Sequence, residues 1–180
     1  MMVAMNHGLV ALLLCASLPA AVQARAFTLP DACGDDRVMF DVKTEKNQPP
    51  PAPPADGRAQ IVFFEIQNGS VAKGITVRFG MDGAWVGANH GNSYFALDLA
   101  PGEHHLCADW QSRFAGVRAT ADVTSFTAEP GKVYYFAAQA TFGQSGLVTT
   151  LSSFSLSPLN EDAGKYRLRT WQLATSKPKK

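Results

Sequence analysis

The side chains of this chain that could do chemistry are few. His104 and His105 are adjacent, Cys107 follows two positions on, and His90 lies upstream. A metal site needs about four converging ligands. Successive side chains on a strand point to opposite faces, so His104 and His105 would not share an ion, although His105 and Cys107 lie on one face. No metal site is assigned. Gly143-Gln-Ser-Gly146 lacks the spacing of a G-x-S-x-G nucleophile elbow, and no H-E-x-x-H, P-loop or G-x-G-x-x-G motif is present. The carboxylate pairs Asp35–Asp36 and Glu161–Asp162 fall in loop and helix-cap contexts. The pattern assigns no catalytic residue and no cofactor. A small hydrolase whose site leaves no linear motif stays open as an alternative. Aromatic residues are the better lead. Trp85, Tyr94 and Trp110 fall near turns or on faces alternate to aliphatic ones, as does Trp171. Exposed, such rings would stack on a sugar or pack on a partner; buried, they would be core.

These residues must be positioned by a chain of 180 residues that is 46% hydrophobic and 17% charged, proportions of an ordinary globular protein. The formal net charge is +1, without the basic excess a nucleic-acid binder needs. Residues 9–18 form an apolar run too short to span a bilayer but suited to a secretory signal, and Ala24-Arg25-Ala26 matches the A-x-A cleavage pattern. The expected cut follows Ala26, with Ala24 as the alternative. Lipidation at Cys15 fits poorly, because Leu14 is not a small residue. Cleavage would leave 15 basic and 15 acidic residues, two cysteines and no membrane-spanning run. In an oxidising compartment an even count favours a Cys33–Cys107 disulfide, two separate buried thiols being the alternative.

After the signal, residues 27–57 comprise a short strand around Val38–Val42 and a proline-rich spacer, with five prolines between Pro49 and Pro54. Residues 58–173 read as the main domain. Ala59–Ile66 is apolar on both faces, as in a strand covered twice. Ile75, Val77, Phe79 and Met81 alternate with small or polar residues, and Asp82-Gly83 is a strong hairpin signal. Asn68-Gly69, Pro101-Gly102 and Glu129-Pro-Gly-Lys132 mark further turns, recurring at the spacing of a β-sandwich or barrel. Further strands are expected over 84–88, 94–99, 103–110, 118–128, 132–142 and 147–156. One short helix is expected after Asn160, a good N-cap followed by Glu161 and Asp162 at the positive end of the helix dipole. Residues 174–180 read as a frayed basic tail. The fold class is therefore all-β, an antiparallel sandwich of immunoglobulin- or transthyretin-like type with one short C-terminal helix.

Ala59-Gln-Ile-Val-Phe-Phe, Asp82-Gly83, Tyr94-Phe-Ala-Leu-Asp-Leu-Ala-Pro-Gly-Glu-His104, Gly131-Lys-Val-Tyr-Tyr135 and Glu161-Asp-Ala-Gly-Lys165 together resemble the bacterial domain of unknown function 2846 family, over about residues 58–168. The stretch from Asp82-Gly83 to His104 is also similar to PEGA domains of bacterial surface proteins. The resemblance implies an exported β-domain, with Cys33 and Cys107 matching a subgroup with paired cysteines, and it brings no activity to carry over. The resulting expectation is a periplasmic or secreted, non-enzymatic accessory or binding module, its partner an envelope protein or a glycan. Trp85, Tyr94 and Trp110 are its candidate surface. A carbohydrate-binding module using those rings is an alternative.

Overall fold

The computed structural model describes residues 30–67, 75–111, 121–145 and 148–180. The signal segment and the Asn68-Gly69 turn lie outside them. The strands are β1 (Phe40–Glu45), β2 (Ala59–Gln67), β3 (Thr76–Met81), β4 (Ala84–His90), β5 (Ser93–Leu99), β6 (Gly102–Trp110), β7 (Ala121–Ala128), β8 (Val133–Ser145), β9 (Val148–Leu159) and β10 (Gln172–Pro178), with helix α1 (Glu161–Thr170) before the last. They form two sheets, β1-β10-β5-β2-β8-β9 and β4-β3-β6-β7. The chain is an all-β sandwich with one short C-terminal helix.

The apolar run of β2 dictates this layering. Ile61 and Phe63 point between the sheets, where they meet Phe79, Leu106, Trp110 and Phe136. Val62 and Phe64 point the other way and pack with Tyr94, Tyr135, Ala137 and the helical Leu168. All four β2 side chains are fully buried. Fully burying such side chains is worth about 1.5–3 kcal/mol each, so α1 is the lid over a second core. Asn160 caps it as the sequence suggests, its Oδ1 accepting from Ala163 N at 2.8 Å.

Two features depart from a purely antiparallel sandwich. β2 pairs with β8 in parallel, and β10 pairs with β5 in parallel over Gln172 and Leu173. Parallel neighbours need a long connection, and the stretch from β3 to β7, which visits the second sheet twice and returns between as β5, supplies it for β2 and β8. The second departure is at the ends of the chain. The segment read as a basic tail is β10, which pairs antiparallel with β1 from Phe40↔Pro178 to Glu45↔Leu173. Beyond Leu173, β10 passes toward β4, and Ala88 N donates to Ser176 Oγ at 3.1 Å. The proline-rich stretch is anchored too: Gln60 Nε2 donates to the Ala52 carbonyl and Ala55 N to Asp98 Oδ2.

The disulfide Cys33–Cys107 holds residues 30–38 across the outer face of the four-stranded sheet. In the chain-entropy account, cross-linking cysteines 74 positions apart stabilises by about 4 kcal/mol. Asp82 (φ 53°) and Gly83 (φ 85°) both take positive φ, as the hairpin signal requires.

Gly164 is required for a different reason. A Cβ there would sit 2.4 Å from Cγ of Tyr135, at the base of a buried ring. Helix propensity alone favours Gly164→Ala by about 1 kcal/mol, but overpacking costs about 1–3 kcal/mol, and a ring base cannot swing aside. Gly164→Ala is therefore expected to destabilise by about 1–2 kcal/mol, seen as a lower urea midpoint. A raised midpoint would show that the ring yields.

Candidate functional site

The three aromatic residues singled out in the sequence occupy three different layers. Tyr94 is fully buried under α1, its ring 6.0 Å from that of Phe64. Trp110 is 5% exposed between the sheets, edge-on to Phe142. Trp85 lies on the outer face of the four-stranded sheet, partly buried. Its Nε1 donates to the Asp35 carbonyl at 2.7 Å, and the Arg78 guanidinium stands 4.2 Å over its ring. No exposed platform joins the three. The alternation that suggested surface was real, but both faces of the six-stranded sheet are covered, so a side chain opposite the main core is still inside. Among the described residues the large exposed apolar side chains are Val123, at 45%, and Tyr166, at 66%.

Polar side chains within the sandwich are held in pairs. Arg78 on β3 donates from Nε and Nη2 to Asp109 on β6, with side-chain exposures of 4% and 1%. Arg78 Nη1 donates to the carbonyls of Asp36 and Val38, so one buried cation ties β3, β6 and the N-terminal segment together. Gln111 clips the backbone of β1, its Oε1 accepting from Phe40 N and its Nε2 donating to the Phe40 carbonyl. His90 Nδ1 lies 3.0 Å from Thr76 Oγ1. No three His, Cys, Asp or Glu side chains among the described residues group as metal ligands.

Glu65, near the end of β2, is the residue the sequence reading missed. It is 2% exposed. Its Oε1 accepts from Gln67 Nε2 at 2.9 Å and the carboxyl also takes the Val77 N–H, while Oε2 has no partner. Asn89, opposite Val77 in the β3–β4 register, donates from Nδ2 to the Phe63 carbonyl and leaves its Oδ1 unpartnered. Burial pushes the Glu65 carboxyl well above the usual range, against the bonds from Gln67 and Val77. A carboxylate inside an otherwise apolar strand was the available signal. It is an acid sealed from solvent, so no substrate reaches it in this arrangement. Its folded pKa exceeds the unfolded one, so stability falls as pH rises from about 4.5 through the folded value. Glu65→Gln removes that dependence. It is expected to stabilise by about 1–2 kcal/mol at pH 8 and by little at pH 4, read from urea midpoints across pH. An equal effect at both pH values would mean that Glu65 holds no extra proton.

His104 has no freedom of partner. Nδ1 lies 2.6 Å from Asp82 Oδ2, and Nε2 lies 2.9 Å from the Ala100 carbonyl. Both partners only accept, so both ring nitrogens must donate, and the ring is an imidazolium. Burial lowers the His104 pKa, but the Asp82 bond, the Ala100 bond and the Asp82 charge together raise it. Burial likewise opposes Asp82, whose bonds from His104 and the His105 N–H lower it overall. The clasp joins the β3–β4 turn, the β5–β6 turn and β6. Its contribution is complete between about pH 3.8 and 6.5, is lost as pH rises through the folded His104 value, and is lost again as acid protonates Asp82. Nitrogen-15 NMR should find both His104 nitrogens protonated at pH 6, with a pKa above that of His104 in Asp82→Asn. A single protonated nitrogen at pH 6 would break this assignment.

Among the described residues β7 is an edge of the four-stranded sheet, paired with β6 alone. Asp122 at its start accepts from Val123 N through Oδ1 and from Leu156 N on β9 through Oδ2, joining edges of both sheets. Val123, Ser125 and Thr127 are exposed along the rest. One groove beside them is lined by Pro30, Ala32, His105 and Val123. A second, on the inner side, is lined by Phe126, Tyr134, Phe136 and Leu159.

No family model, curated protein or solved structure matches this chain.

Proposed function

We propose that the protein is an exported, non-enzymatic binding module of the bacterial cell envelope, and that β7 is the surface it offers to a partner. The observation that carries this reading is the open β7 edge, with Val123 at 45% exposure and a groove on either side. Loops and edges displayed on a rigid scaffold are where binding residues concentrate. The apolar segment ending at Ala26 and the disulfide fit export to an oxidising compartment. The reactive side chains fit a scaffold role: Cys33 and Cys107 are joined, Arg78 and Asp109 neutralise one another, and His104 is held at both nitrogens. A glycan platform built on Trp85, Tyr94 and Trp110 has no support, because Tyr94 and Trp110 are core.

A photocrosslinking residue at position 123, compared with one at position 41 on the β1 edge, tests this in cells. Adducts of higher mass are expected from position 123 and not from position 41, in the periplasmic fraction, on a chain beginning at Phe27. Equal labelling at both positions, or none at 123, would remove β7 as the partner surface.

A further inference from the structure

The backbone of β7 shows how such a partner would be held. The N–H of Val123 points away from β6, since it bonds Asp122 Oδ1 at 3.0 Å. Backbone groups alternate sides along a strand. The N–H and C=O groups of Ser125 and Thr127 therefore point the same way, outward from the sheet, and no hydrogen bond occupies them among the described residues. Their side chains are exposed on the outer face of the sheet.

The other edges are blunted. β1 carries Asp41, Lys43 and Glu45, with Lys179 paired to Asp41. β4 is backed by β10, whose Ser176 takes the Ala88 N–H. On β9 the Leu156 N–H is taken by Asp122, and Pro158 has no donor. From Val123 to Ala128, β7 has no lysine, arginine or proline, the devices that normally prevent edge pairing.

We infer that β7 accepts an extended peptide segment of a partner protein as a further strand, paired to Ser125 and Thr127 and apolar at alternating positions. This rests on the binding-module reading and names its mode. A strand added at about 4.8 Å projects successive side chains to opposite faces. One set falls on Val123, Pro30 and Ala32, on the outer face. The other falls on Phe126, Tyr134 and Phe136, between the sheets. Main-chain bonds supply the affinity and the two apolar grooves select the alternating side chains. Apart from tyrosine hydroxyls, the ionisable groups beside the grooves are His105 at one and the exposed Glu161 at the other, so a strand bearing many charges is disfavoured.

The experiment uses the mature, oxidised chain and a synthetic ten-residue peptide alternating threonine with valine or phenylalanine. The expected result is at least tenfold slower amide exchange at Ser125 and Thr127, with β1 and β9 unchanged. The same peptide methylated on alternate backbone nitrogens should bind at least tenfold more weakly. Ser125→Pro removes an N–H that the β6 ladder does not use, so it should lose at least tenfold affinity. If that variant does not fold, Thr127→Lys places a charge on the same edge and should lose binding likewise. Equal binding of the methylated peptide, protection at another edge, or protection that grows with protein concentration without peptide would overturn the inference, the last by showing pairing between two copies. Absence of peptide binding together with cellular adducts at position 123 would overturn strand addition and leave the binding-module reading standing.

Discussion

The structure depends on one strand being greasy on both faces. Ile61 and Phe63 require a second sheet above them; Val62 and Phe64 require a helix below. Exposing either pair would forfeit several kcal/mol, comparable to the whole stability of a typical domain. From this follow the central position of β2, the placing of β3, β4, β6 and β7 in a separate layer, and the placing of α1 against Tyr135. Even the glycine at 164 is a consequence, because the helix must approach the ring closer than any Cβ allows.

The same constraint explains which parts of the molecule were legible in the sequence. Ala59–Ile66 announced a doubly covered strand, Asp82-Gly83 a hairpin, Asn160 a helix start and the two cysteines a bridge. Each is a local pattern with a single physical meaning. β10 was not legible, since Ser176-Lys-Pro-Lys-Lys180 has the composition of a solvated tail and becomes a strand only because β1 lies beside it. Tyr94 was misleading for a related reason. Period-two alternation identifies two faces and cannot say whether both are covered. Glu65 and Asp122 were passed over as single carboxylates among strand residues; their meaning lies in neighbours brought from other strands.

Polar chemistry in this protein works as structural fastening. The Arg78–Asp109 pair has a strong desolvation cost that its hydrogen bonds to Asp36 and Val38 offset. Such a pair sets register: shifting β3 by one residue against β6 would leave both charges buried without partners. Gln111 does the same for β1, reading one backbone position by imitating a neighbouring strand.

The pairing of the first strand with the last has a consequence for biogenesis. Among the described residues β1 pairs with β10, so that ladder cannot close until the final residues of the chain are available. Cys33, by contrast, is joined to Cys107, which lies in β6, far ahead of β10 in the chain. The covalent bond needs nothing from β10, so it can form ahead of the β1–β10 ladder and tether the arm beside β6.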